Sequence, residues 1–367
     1  MQHFHCAVCG QSLFYENVLC TRCGHTLAFL PDLRTLSPLE AVEAPAGESA
    51  SNGPAIFTAL VPEAQGATYR LCGNYSEFGV CNWAVPADDD NPLCEACRLN
   101  RVVPDASDPA AREKWQRLEI AKRRLLYTLF ALGLPIQPVS ESDSGLAFSF
   151  LEDRPEKTVT TGHADGLVTI NVSEADDAYR ERMREEMGEA YRTLLGHVRH
   201  EAGHYYWDRL IRESAWLESF RQLFGDERPD YGEAMKRHYE QGPPAHWQDS
   251  HVSAYAAMHP WEDWAETFAH YLHMVDTLDT AANYGVSLED AASDIPTDVD
   301  TPAIDNDSFD ELIAAWVPLT VALNSFNRSM GLPDIYPFVL AEPAIEKLRF
   351  VHSVIQGATP TATIGDG

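Results

Sequence analysis

The sequence predicts an α+β protein, a small cysteine-bearing amino-terminal region followed by a mostly helical domain with a small β-sheet. Three observations predict it. All eight cysteines fall in the first 97 of 367 residues, so two parts of the chain are under different chemical constraints. Strand-like runs are confined to "LAFSFL" (146–151) and "GLVTINV" (166–172), a candidate hairpin, and little else in the chain looks like strand. From about Asp176 almost to the end the apolar spacing is helical, broken at "GDERPDYG", "GPPAHW", "SDIPTDVDTPAIDNDS" and "GLPDIYPF". The length favours two compact units with separate cores. The expected division is 1–100, 101–356 and a disordered tail over 357–367.

Composition narrows the function. Hydrophobic residues make up 45% and charged residues 23%, and no apolar run approaches a membrane span. With 56 acidic against 27 basic residues the formal charge is −29, which repels phosphate backbones and argues against nucleic-acid binding. The basic stretch "REKWQRLEIAKRRLL" (112–126) mixes its charges with acids on a helical pattern and reads as a solvated helix face. The start, "MQHFHCAVCG", lacks the basic and long apolar regions of a secretory signal, so a cytoplasmic location is expected.

Taken in order, the first element is a pair of cysteine clusters. Cys6-x2-Cys9 and Cys20-x2-Cys23 place four thiols for one tetrahedral metal, and a glycine follows each pair where the backbone turns tightly. Cys72, Cys81, Cys94 and Cys97 form a second set with one wide pair and one CxxC, and four plus four is the simplest count. Zinc is the expected metal, with an iron–sulfur cluster as the alternative that uses the same ligands. A closed four-thiolate site leaves no position for substrate, so both metals are expected to be structural, with protein recognition as the region's possible further role. "LSPLEAVEAPAGESASNGPA" (36–55) reads as a loop between the clusters. Next, Asp108 as N-cap and Pro109 at the first helical position open a helix with Trp115, Leu118, Ala121, Leu125 and Leu129 on one face and Gly133 after its end.

The chemistry concentrates in "LLGHVRHEAGHYYW" (194–207). His200 and His204, four apart, project about 40° from each other on a helix and reach one metal from adjacent turns. Glu201 projects beside them, placed to take a proton from a water acidified by that metal and deliver it to a leaving amine. Apolar residues at Tyr191, Leu194, Leu195, Val198, Ala202 and Tyr205 make the helix buried or half-buried. A catalytic zinc needs a third protein ligand. "HPWEDWAETFAHYLH" (259–273) offers Glu262 and Glu266 on one helical face; one binds the metal and the other orients an imidazole, and spacing allows either order.

HExxH followed by ExxAE on a later helix resembles the gluzincin metallopeptidases, the clan of thermolysin. The resemblance implies that Glu262 is the third ligand and that Glu266 supports a ligand histidine. The cysteine clusters, "HEAGHYYW" and "HPWEDWAETFAHYLH" together resemble a bacterial family of zinc-binding metallopeptidases with an amino-terminal zinc-ribbon domain. That likeness covers almost the whole chain and implies a fold and a reaction class, but no substrate. After His204 the chain reads "YYWDRL", without the third histidine of the metzincins, and Glu262 follows 58 residues later, a longer gap than in the thermolysin branch.

Tyr255 is a candidate to face the oxyanion formed during attack, with His259, His270 and His273 as rivals. His197 reads as a core or supporting histidine, Trp261 and Trp264 as packing residues, and "GLVTINV" as an edge strand that could hold an extended peptide. The leading expectation is therefore a zinc peptidase with one catalytic and two structural zinc ions and a peptide or protein substrate. The rival is a zinc-ribbon adaptor that binds proteins and keeps a purely structural metal site in its carboxy-terminal domain.

Overall fold

The computed structural model describes residues 1–42, 54–142, 144–187, 189, 191–288, 297–298 and 303–358. The amino-terminal region begins with the antiparallel pair β1 (Phe4–His5) and β2 (Ser12–Leu13). A five-stranded antiparallel meander follows: β3 (Thr26–Leu30), β4 (Thr35–Ala41), β5 (Ile56–Ala59), β6 (Thr68–Leu71) and β7 (Ala84–Pro86). A bridge between Phe29 and Trp83 brings β7 back beside β3 and closes the sheet on itself around Ala28, Leu30, Leu39, Ala59, Tyr69 and Ala84. Two short helices, α1 (Gly73–Ser76) and α2 (Glu95–Arg98), carry cysteines at their starts.

Two expectations are corrected here. The stretch 36–55 is not all loop: Leu36 to Leu39 are buried in β4, while residues 43–53 lie outside the described residues. The region also holds far more strand than the periodicity announced, because strands of three to seven residues with mixed small, polar and proline positions give too short an alternation to read.

In the second part, β8 (Asn100–Val102) leads into α3 (Pro109–Ala131), where the Asp108 side chain accepts a hydrogen bond from the Ala110 amide at 3.0 Å. The apolar face expected for this helix is buried from Trp115 to Leu129. Its basic residues are not all solvated, which corrects the reading of 112–126. Lys122 and Arg123 are buried against Glu119, with Lys122 also bonded to Asn100 and 5.6 Å from the Phe148 and Phe150 rings.

Strands β9 (Ala147–Leu151), β10 (Gly162–Ala164) and β11 (Leu167–Asn171) complete a sheet ordered β10-β11-β9-β8. The expected hairpin between 146–151 and 166–172 is corrected: β9 and β11 run parallel, and the hairpin joins β10 to β11. Asp165 and Gly166 both adopt positive φ, the geometry of a two-residue hairpin turn, and this folds β11 onto the short run before it. The edge strand is thus β10, not β11.

The remaining helices are α4 (Asp177–Met187), α5 (Leu194–Leu210), α6 (Leu217–Phe224), α7 (Tyr231–Gln241), α8 (Pro260–Asn283), α9 (Phe309–Ser329) and α10 (Glu342–Ala358). α5 packs along α8, with α3 against α5 and α10 against α8. No helix among the described residues is long and apolar enough to cross a membrane. The expected tail lies almost wholly outside the described residues, which end at Ala358.

One apolar core runs from Phe4, Phe29 and Trp83 through Trp115 and Leu125 to Tyr205, Phe268 and Val351, so the expectation of separate cores is corrected. Polar bonds cross the same seam. The Tyr15 hydroxyl donates to the Arg123 carbonyl at 3.2 Å, and the Arg123 guanidinium donates to the Val80 carbonyl at 2.9 Å. The apolar face of α3 serves both parts, which a reading of each segment alone does not reveal.

Candidate active site

The first four cysteines converge from two loops, Cys6 and Cys9 from the one between β1 and β2 and Cys20 and Cys23 from the one between β2 and β3. Cys6 and Cys23 sulfurs lie 3.6 Å apart, as do those of Cys9 and Cys20. The second set also converges, with Cys81 and Cys94 sulfurs at 3.7 Å. Tetrahedral zinc with bonds of about 2.3 Å places its sulfurs about 3.8 Å apart, whereas a disulfide holds them at about 2.05 Å. All eight thiols are unlinked. Gly10 and Gly24, with φ of 72° and 79°, donate to the Cys6 and Cys20 carbonyls and turn each CxxC back on itself.

α5 begins where the Thr193 hydroxyl accepts from the Gly196 amide at 3.0 Å, and it carries His200, Glu201 and His204 into the interior. α8 begins on His259, whose Nδ1 accepts from the Trp261 amide at 3.1 Å. The helices meet at Gly203, where a Cβ would sit 2.9 Å from the Ala265 Cα; only glycine allows this approach. The Trp264 indole donates to the Gly203 carbonyl at 2.8 Å and fixes the crossing.

That crossing puts Glu262, 1% exposed, against both histidines. His200 Nε2 lies 3.0 Å from Glu262 Oε2 and 3.2 Å from His204 Nε2, and His204 Nε2 lies 3.4 Å from Glu262 Oε1. Both carboxylate oxygens thus face an imidazole, and one ligand atom from each of the three side chains falls within 4.8 Å of the others, close enough to share one metal ion. Glu201 Oε2 and Glu262 Oε2 are buried with no hydrogen-bond partner among the described residues. A buried carboxylate oxygen with no hydrogen bond is costly unless a cation or a proton donor meets it, and Glu262 Oε2 has His200 Nε2 at 3.0 Å.

Surrounding groups orient this set. Glu266 Oε1 accepts from His200 Nδ1 at 2.6 Å, and Glu266 Oε2 accepts from the Ser253 hydroxyl at 2.6 Å. Burial pulls the His200 pKa down, but Glu262 and Glu266 outweigh it and hold it well above its usual range. Burial pushes Glu262 up, and the two imidazoles bring it well below the carboxylate range. Tyr231, at the start of α7, donates its hydroxyl to Glu262 Oε1 at 2.7 Å. The Tyr255 ring centre is 6.0 Å from that of His200, and its hydroxyl interacts with that of Tyr231. On the other side the Trp261 ring lies 4.0 Å from His204, which gives this packing tryptophan a place in the site. His163 on β10 stacks over His204 at 6.3 Å; burial first, then the charges of His204 and Arg212, push its pKa down to about 3.

The structure separates Tyr255 from its rivals. His259 is committed to capping α8 and to the Pro229 carbonyl at 3.2 Å. His270 bonds the Tyr336 hydroxyl at 2.7 Å, and His273 sits against Tyr191 and Trp316 further along α8. His197 lies 3.5 Å from Glu174 and supports that carboxylate. Sequence reasoning missed Tyr231, Ser253 and His163. The Asp230 N-cap, which fixes Tyr231 at the first position of α7, was the one available signal.

Residues 111–354 match the family described as "Putative zinc-binding metallo-peptidase". The chain belongs to this family. Residues 3–108 match a zinc-ribbon domain family, which agrees with the tetrahedral spacing of the thiols. The chain is 44% identical over 362 residues to uncharacterized proteins of Mycobacterium bovis and Mycobacterium tuberculosis, a match spanning 98% of this chain and 97% of each relative. No solved structure matches it.

Proposed function

We propose that the protein is a zinc-dependent peptidase of gluzincin type, with His200, His204 and Glu262 as ligands of the catalytic zinc and Glu201 as general base. The observation that carries this reading is the convergence of the three side chains within 4.8 Å, together with a buried Glu201 carboxylate oxygen that makes no hydrogen bond. Zinc held by His200, His204 and Glu262 would supply a Lewis acid for the scissile carbonyl and for the attacking water. Glu201 takes the proton from that water and passes it to the departing nitrogen. Glu266, itself held by Ser253, keeps His200 oriented with Nε2 toward the site. Tyr255 supplies a hydroxyl to the developing oxyanion.

Cys6, Cys9, Cys20 and Cys23 hold one structural zinc, and Cys72, Cys81, Cys94 and Cys97 the other, for three ions per chain. The substrate is a peptide or protein, the zinc-ribbon part of the division near residue 100 is a surface for a protein partner, and the reduced thiols suit a cytoplasmic location. Glu201→Gln tests the reading. Peptide hydrolysis should fall by about 10²- to 10⁴-fold, the usual value of a general base, while three zinc ions stay bound. Unchanged function in Glu201→Gln would instead assign the protein to the adaptor class.

A further inference from the structure

Among the described residues, the Tyr231 hydroxyl is the one hydrogen-bond donor to the Glu262 carboxylate that comes from neither α5 nor α8. We propose that Tyr231 is a positioning residue that holds Glu262 to the metal through a single oxygen, an inference that rests on the zinc reading above. The phenol donates to Oε1 at 2.7 Å, while Oε2 has no aligned hydrogen bond and faces His200 Nε2 at 3.0 Å. The two oxygens are therefore unequal: one is committed to a neutral donor, and the other faces the imidazole side of the site, where a cation would sit. A carboxylate so tethered resists the rotation that would bring both oxygens onto the ion, which keeps the remaining coordination position open to water.

The contact is built rather than incidental. Asp230 accepts from the Glu233 amide at 2.8 Å and starts α7 at Tyr231. The phenol ring is wedged between His259, 5.5 Å away, and Trp261, 5.8 Å away, both at the start of the helix that carries Glu262. The rest of α7 is lightly packed, with Ala234 its one buried residue. Tyr231 is thus where this exposed helix engages the site. Tyr231 has its proton committed to Glu262, and its hydroxyl also meets that of Tyr255, so the two phenols form one chain that ends on the Glu262 carboxylate.

The test uses the full-length protein loaded with zinc, Tyr231→Phe and Tyr255→Phe, and graded chelator competition followed by native mass spectrometry. Tyr231→Phe keeps the ring and loses the hydrogen bond. It should release the third zinc at 10- to 100-fold lower chelator strength, while the two thiolate ions and the circular dichroism stay as in the wild type. Tyr255→Phe should lose turnover with zinc affinity kept. If Tyr231→Phe loses hydrolysis but binds the third zinc as the wild type does, Tyr231 touches substrate instead and the inference is wrong. If Tyr231→Phe unfolds, Tyr231→Leu with the same readout decides. A wild-type protein that takes up only two zinc ions overturns the reading of the site itself, an outcome separate from the failure of Tyr231 alone.

Discussion

Glu262 and Glu266 stand one turn apart on α8 with the same chemistry, yet their surroundings give them different work. Glu262 faces two imidazole Nε2 atoms from inside the core, and Glu266 faces the far nitrogen of one of them and a serine hydroxyl. Glu262→Ala should empty the His/Glu site, because two imidazoles alone hold zinc poorly. Glu266→Ala should leave it populated at about 10- to 100-fold weaker affinity. Zinc dissociation constants of the two variants check the order, and a reversal would exchange their roles. At this scale the sequence made His200, Glu201 and His204 readable by their offsets on one helix and the two glutamates by theirs on another, while the order of the glutamates came from the family resemblance. Tyr231, Ser253 and His163 were not readable. They reach the site from three other segments, and no offset along the chain encodes a meeting made by tertiary packing.

Helices were easier to foresee than strands for the same reason. α3 announced itself through Asp108, Pro109 and a long apolar face, and α8 through Pro260 and the paired acids. The β9–β11 pairing did not, because parallel neighbours are joined through a crossover that leaves no turn signature. The close contact of α5 with α8 was visible only as an unremarked glycine inside the HExxH motif. Gly203→Ala would force its methyl carbon against the Ala265 backbone, which cannot rotate away as a side chain does. The expected cost is about 1–3 kcal/mol, as for other overpacked contacts, together with weaker zinc binding as Glu262 moves off the histidines. Thermal denaturation with and without added zinc measures both. A neutral result would mean that the helices can separate without disturbing the site.

At the scale of the whole molecule, α3 joins the two parts of the chain, facing Tyr15 and Trp83 on one side and the α5–α8 layer on the other. Cys72→Ser, which removes a ligand from a fully buried thiolate set, should therefore lower the melting temperature of the entire chain. Heating the variant while recording circular dichroism and zinc release from the His/Glu site should give one coincident transition. Two separated transitions would restore independent domains. The crossing at Gly203 has a further consequence. A zinc ion shared by His204 and Glu262 is a reversible cross-link closing a loop of nearly sixty residues, so its binding free energy opposes unfolding as a staple does. Each tenfold rise of free zinc above the dissociation constant then adds about 1.4 kcal/mol to the native state. On the proposed reading, survival of the protein against proteolysis would become a readout of zinc supply, with metal scarcity removing the chain as well as emptying its site.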